Sequence, residues 1–89
     1  MYYVYVLRSL VDNNLYIGYT ANDPVSRLEN HNSGNVQSTK FRKPLELIYY
    51  EAYLNNNDAL GREKFLKSGS GHKYLTKQLK NYTIELNEK

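Results

Sequence analysis

Two short runs with tyrosine at alternating positions, Tyr3-Val4-Tyr5-Val6-Leu7 and Leu15-Tyr16-Ile17-Gly18-Tyr19, flank the turn-forming stretch Val11-Asp12-Asn13-Asn14. Aromatic and β-branched residues on both sides of an Asp/Asn turn commit the start of the chain to a β-hairpin. Successive side chains of a strand point to opposite faces. Tyr3, Tyr5 and Leu7 therefore share one face of the first strand and Tyr2, Val4 and Val6 the other. In the second strand Tyr16 and Gly18 oppose Ile17 and Tyr19. One face of the hairpin thus gathers phenol hydroxyls beside a glycine, and a glycine inside a strand marks a close backbone approach or a bulge.

Beyond the hairpin, Thr20-Ala21-Asn22-Asp23-Pro24 is a helix start, with Asn22 or Asp23 as N-cap and Pro24 in the first turn. The helix is predicted to run to about His31 and to stop at Asn32-Ser33-Gly34, where Gly34 can take the left-handed conformation. Arg27 and His31, four residues apart, lie on one side of it. Residues 35–44 lack periodicity and carry Lys40, Arg42 and Lys43, which predicts an exposed basic loop. Leu45 to Tyr53 reads as a third strand, apolar on both faces near its middle, which suggests the centre of the sheet. Asn55-Asn56-Asn57-Asp58 caps a helix over Ala59–Lys67, ended by Ser68-Gly69-Ser70-Gly71. A last helix spans about His72–Asn81, with Leu75, Leu79 and Tyr82 at core spacing. Residues 83–89 form a polar tail. The whole predicts an α+β domain over residues 1–82, a three-stranded antiparallel sheet flanked by three helices in the order β-β-α-β-α-α.

At 89 residues the chain has room for one modest core, since a domain of this size buries about 60–65% of its unfolded surface. It has no cysteine, so neither disulfides nor a cysteine-rich zinc site supports it. No signal peptide or membrane span is visible, and the expected setting is the cytoplasm. Twelve Lys and Arg against nine Asp and Glu are a mild basic excess that suits nucleic acid without requiring it. Ten tyrosines stand out more, because tyrosine packs as an aromatic yet keeps a polar handle.

Tyr3-Val4-Tyr5, then Tyr16-Ile17-Gly18, then a helix with Arg27 and His31 closing on His31-Asn32-Ser33-Gly34, then a helix with Arg62-Glu63, together resemble the GIY-YIG nuclease superfamily, in particular its small bacterial branch. The resemblance covers essentially the whole chain. It implies a divalent-metal-dependent cut in a phosphodiester backbone, with Mg²⁺ or Mn²⁺ as cofactor. By position it assigns the tyrosines to Tyr5 and Tyr16, the helix arginine to Arg27, the following histidine to His31 and the metal-binding glutamate to Glu63. Two departures from the pattern stand out: Tyr3 replaces the first motif's glycine, and the asparagine that several family nucleases use has no secure counterpart here, Asn81 being the nearest.

These residue types suit the chemistry. Hydrolysis of a phosphodiester needs a deprotonated water, charge neutralised on the phosphoryl oxygens and help for the leaving oxygen. A single carboxylate, Glu63, can hold one Mg²⁺ that keeps most of its waters. Arg27 offers a planar fork to phosphate. Tyr5 or Tyr16 acts as general base, provided a cation lowers a phenol whose ordinary pKa is near 10. Lys40, Arg42, Lys43 and Lys67 are candidates to track a DNA backbone. Structural roles compete at each position: half-buried sheet aromatics for Tyr5 and Tyr16, a solvated cation for Arg27, a helix-dipole cap for His31, and an ion pair with Lys67 for Glu63. His72 reads as surface.

The favoured function is an endonuclease acting on DNA, branched or single-stranded substrates included, in repair or recombination, with a protein partner supplying specificity. The rival readings are a nucleic-acid-binding module that no longer cleaves and a protein-interaction domain. No membrane is implied, and both monomer and oligomer remain open.

Overall fold

The computed structural model describes residues 1–88. Its elements are β1 (Tyr2–Ser9), β2 (Leu15–Thr20), α1 (Pro24–Asn32), a 3-10 turn (Gln37–Thr39), β3 (Leu45–Tyr53), α2 (Asn56–Leu66), α3 (Gly69–Gln78) and α4 (Lys80–Asn87). The three strands form one antiparallel sheet in the order β2-β1-β3, so the α+β class and the three-stranded sheet are as expected. The helices number four among the described residues, one more than the periodicity suggested.

The hairpin turns where its chemistry allows. Asn13 takes a positive φ of 63°, Asn14 N–H donates to Asp12 Oδ1 at 2.9 Å, and Ser9 Oγ accepts the Val11 N–H at 3.1 Å. The register sets Tyr5 opposite Gly18 and Leu7 opposite Tyr16, which keeps the expected phenols on one face. Asp23 is the N-cap of α1, accepting from Val25 N–H at 2.8 Å. Asn55 caps α2 in the same way, with Asn57 N–H at 2.8 Å. Gly34, at φ 82°, follows the end of α1 in the left-handed region.

Two expectations need correction. β3 is an edge strand, and β1 occupies the centre. The apolar character of β3 on both faces has another cause: α1 covers Leu45 and Leu47 on one side, while Ile48 and Tyr49 join the core under α2 and α3 on the other. A bulge makes this possible. Val6 pairs with Tyr49 but Leu7 pairs with Leu47, so Ile48 is the extra residue. The second correction concerns the C-terminal segment. Chain order continues as helix through Asn87, because the Tyr82 hydroxyl accepts from Arg8 Nε and donates to Glu46 Oε1, both at 2.8 Å, tying α4 to the sheet. Lys89, the end of the expected tail, lies outside the described residues. α2 ends at Leu66 with Lys67 as its C-cap, and Ser68 caps α3, which therefore starts earlier than the periodicity implied. No helix of the described residues is long and apolar enough to cross a membrane.

The sheet separates two clusters. Val4, Val6, Ile17, Ala59, Leu66 and Leu75 are buried between the sheet and helices α2 and α3. Tyr5, Leu7 and Leu45 are buried on the α1 side, with Tyr16, Leu28 and Leu47 packed against them.

Candidate active site

The α1 side carries the chemistry-bearing residues. Strand alternation brings Tyr5 and Tyr16 to this face from neighbouring strands, and helical spacing brings Arg27 and His31 down onto them. Gly18 makes the approach possible. A Cβ there would overlap the Tyr5 ring carbon Cζ and its hydroxyl oxygen, so the strand must be bare where the Tyr5 ring crosses it.

Tyr5 and His31 are 1% and 0% exposed. The Tyr5 hydroxyl lies 2.9 Å from His31 Nε2, and Arg27 Nε–H donates to the same oxygen at 3.4 Å. On its far side His31 Nδ1 lies 2.6 Å from Thr39 Oγ1. Arg27, Tyr5, His31 and Thr39 thus form one hydrogen-bonded chain through the interior. Tyr16 stacks edge-on against His31 at 5.1 Å between ring centroids and is tilted against Tyr5 at 6.4 Å. It is half-buried, and its hydroxyl accepts only a long bond from Ser38 Oγ at 3.4 Å.

Burial keeps His31 and Tyr5 uncharged beside the Arg27 cation. Burial, followed by the nearby Arg27 charge, pushes the His31 imidazole down to about 4, so the ring is uncharged at neutral pH. Burial pushes the Tyr5 phenol up from its ordinary value, and the Arg27 hydrogen bond offsets part of that rise. An uncharged ring has one N–H, so it donates at one nitrogen and accepts at the other, linking the two hydroxyls in either order. His31 is therefore a buried bridge and not the helix-dipole cap that its place near the end of α1 allowed.

Glu63 stands apart from these contacts. It belongs to α2, on the other side of the sheet, and none of the four residues above hydrogen-bonds to it. Its carboxylate is nonetheless near enough for its charge to oppose ionisation of Tyr5. Its Oε2 lies 3.2 Å from Lys67 Nζ, the i+4 pair, with the Glu63 side chain 22% exposed. No group of three or more His, Cys, Asp or Glu able to hold a metal occurs among the described residues. A single hard carboxylate fits a Mg²⁺ that is completed by waters and phosphate oxygens, and fits poorly any metal that requires a full protein cage.

The family model of the GIY-YIG catalytic domain matches residues 1–79. The chain belongs to the GIY-YIG family, a nuclease superfamily. Its relatives include the UPF0213 protein of Pediococcus pentosaceus, 48% identical over 63 residues that span 70% of this chain and 64% of that protein, just under two thirds of its length. The UPF0213 protein of Pediococcus acidilactici is 42% identical over 90% of this chain and 82% of its own length. That of Staphylococcus aureus is 39% identical over 83% of this chain and 89% of its own length. No solved structure matches the sequence at a significant level.

In this GIY-YIG domain the cations of the basic loop divide. Lys40 and Lys43 are exposed, Lys40 with its ammonium 5.5 Å from the centre of the outward-facing Phe41 ring. Arg42 instead braces the hairpin: its Nε is 3.7 Å from Asp12 Oδ2, and a terminal nitrogen donates to the Leu15 carbonyl at 3.4 Å. Lys67 is occupied with Glu63. Asn81 is exposed and makes no side-chain hydrogen bond among the described residues. The sequence reading missed Thr39 and Ser38. Both lie in or beside a 3-10 turn inside a polar loop, where nothing but the β-branched Thr39 among cations hints at burial. It also missed Glu51, whose partner on α2 is eleven residues away and visible only once the fold is known.

Proposed function

We propose that this GIY-YIG domain is a divalent-metal-dependent endonuclease that hydrolyses phosphodiester bonds in DNA, with structured or single-stranded DNA of repair or recombination as its substrate class. The observation that carries the reading is the convergence of Arg27 and His31 on the buried Tyr5 hydroxyl, at 3.4 and 2.9 Å, beside the half-exposed Tyr16.

The two tyrosines divide the work by their surroundings. Tyr5 is enclosed and its ionisation is opposed by burial, so it serves as a neutral hydroxyl that fixes Arg27. With Nε held by Tyr5, the terminal nitrogens of Arg27 are left for a phosphate oxygen, whose negative charge they neutralise. Tyr16 is the phenol that solvent reaches; having first released its own proton to solvent, it takes the proton from the attacking water as the phenolate. The water oxygen then bonds to phosphorus as the bond to the leaving ester oxygen breaks, and that oxygen takes up a proton from solvent. Glu63 would hold a Mg²⁺ or Mn²⁺, which would supply Lewis-acid charge to the phosphoryl oxygens. For Glu63 to hold it, Lys67 would have to release the carboxylate.

The test is cleavage of supercoiled, single-stranded, flapped and four-way DNA with Mg²⁺ or Mn²⁺. Tyr16→Phe is expected to lose about 10²–10⁴-fold, the usual worth of a general base, and Glu63→Ala to lose all detectable cleavage while melting like the wild type. Cleavage by Glu63→Ala at the wild-type rate overturns the metal site. Salt-sensitive binding with no cleavage on any substrate replaces the nuclease with a binding module.

A further inference from the structure

The most heavily bonded charge pair among the described residues lies on the face opposite Tyr5. Arg62 of α2 forks onto Glu51 of β3, Nε to Oε1 at 2.8 Å and Nη2 to Oε2 at 3.0 Å. The Tyr53 hydroxyl donates to Oε1 at 2.5 Å and the Tyr49 hydroxyl to Oε2. The guanidinium carbon lies 4.4 Å from the ring centre of Tyr74, on α3, and 5.0 Å from that of Phe65. Both carboxylate oxygens therefore have two donors, and the guanidinium is covered by aromatic rings. Burial alone would raise the Glu51 carboxyl, but the Arg62 fork and the two phenols overcome it and hold the group below the ordinary carboxylate range.

Such a pair contributes more to geometry than to net stability, because desolvation offsets much of its attraction. Ala59 and Leu66, the apolar contacts of α2 with the sheet, are non-directional and tolerate some turning of the helix. A bidentate fork does not. Glu63 follows Arg62 in the chain and lies about 100° further round the helix. With its carboxylate about 6 Å from the helix axis, a turn of about 20° displaces it by about 2 Å, against a tolerance of about 0.5 Å for a working site.

We propose that Arg62 is a positioning residue: clamped on Glu51 and under Tyr74, it holds α2 at the rotation that presents Glu63 to the metal and the phosphate. This rests on the reading of Glu63 as the metal ligand. Arg62→Lys keeps the charge and the stem but removes the fork, and Glu51→Gln keeps the shape but weakens the clamp. Each variant is checked for a cooperative melt, then titrated with Mn²⁺ in the absence of DNA while line broadening of the amide signals around Glu63 is followed. Half-saturating Mn²⁺ in cleavage and KM for DNA are measured alongside.

Folded Arg62→Lys is expected to need about 10–100-fold more Mn²⁺ in both titrations, the usual effect of losing a group that orients a ligand, with KM for DNA almost unchanged. If Arg62→Lys does not melt cooperatively, Glu51→Gln carries the same expectation. Folded variants that bind Mn²⁺ at wild-type concentrations, or that lose activity through KM alone, overturn the proposal while wild-type cleavage stands. A wild type that neither cleaves nor shows broadening at Glu63 overturns the nuclease reading first, and this proposal with it.

Discussion

The two faces of the sheet use tyrosine in opposite ways. On the α1 face Tyr5 and Tyr16 crowd a buried histidine, and the hydroxyls are strung on a single chain from Arg27 to Thr39. On the α2 face Tyr49 and Tyr53 turn their hydroxyls onto one carboxylate that is already paired, beside a core of aliphatic side chains. The first arrangement keeps His31 and Tyr5 uncharged beside the Arg27 cation, and reaches solvent through Tyr16. The second keeps its charges matched and half-buried. Directional bonds around uncharged groups leave chemistry to be done, whereas matched charges over a dry core hold elements in place.

Glycine substitutions break the comparison most sharply. Gly71 packs α3 against α2 so closely that a Cβ would overlap the Phe65 carbonyl oxygen and the Leu66 backbone. Backbone cannot step aside, so Gly71→Ala is expected to cost about 3 kcal/mol or more, read as a shifted denaturant midpoint at unchanged slope. Gly18→Ala meets the tip of the Tyr5 side chain instead. Its expected stability cost is smaller, about 1–2 kcal/mol, but the displaced ring takes the Arg27 and His31 contacts with it and cleavage falls sharply. Equal stability losses with full activity in Gly18→Ala would show that Tyr5 does not need its place.

Acid separates the faces next. A buried imidazole with its pKa lowered to about 4 stays neutral in the folded chain while the unfolded chain takes up a proton near pH 6.5. Between those values the unfolded state binds more protons, so stability falls with falling pH, by about 3 kcal/mol at most. The Glu51 carboxyl is lowered, so its contribution is intact above the ordinary carboxyl range and is lost only as the pH drops through the lower, folded value. Acidification should therefore loosen the α1 face first. Unfolding free energies measured from pH 7 to 4 are expected to decline in the wild type and to flatten in His31→Gln, which keeps hydrogen-bonding ends without titrating. A wild type with flat stability over that window contradicts the buried neutral histidine.

What the sequence disclosed follows the range of the forces involved. The Asp12–Asn14 turn, the Asp23 and Asn55 caps and the left-handed Gly34 are local chemistry, legible from a few neighbouring residues. The face shared by Tyr5, Tyr16 and Gly18 followed from strand alternation and a two-strand register. The place of β3 did not, because an edge strand covered on both sides has the same composition as a central one. Tyr82 reaching Arg8, Thr39 reaching His31 and Arg62 reaching Glu51 are contacts between distant segments, and no local pattern announces them. The basic loop shows the same limit in miniature, since composition alone counts its three cations as alike.

Those cations give the smallest and most selective effect. Lys40 and Lys43 are exposed, whereas Arg42 is turned onto Asp12 and the Leu15 carbonyl. A cation that neutralises a DNA phosphate adds about one unit to the slope of log affinity against log salt. Lys40→Ala and Lys43→Ala are each expected to lower that slope by about one unit with no change in melting temperature. Arg42→Ala should leave the slope alone and cost the hairpin under about 1 kcal/mol, as for an exposed ion pair. Fluorescence anisotropy on labelled DNA at several salt concentrations, beside thermal melts, measures both quantities. A drop in slope for Arg42→Ala without loss of stability would mean that its pairing with Asp12 yields to DNA, and that the loop meets the substrate with all three charges.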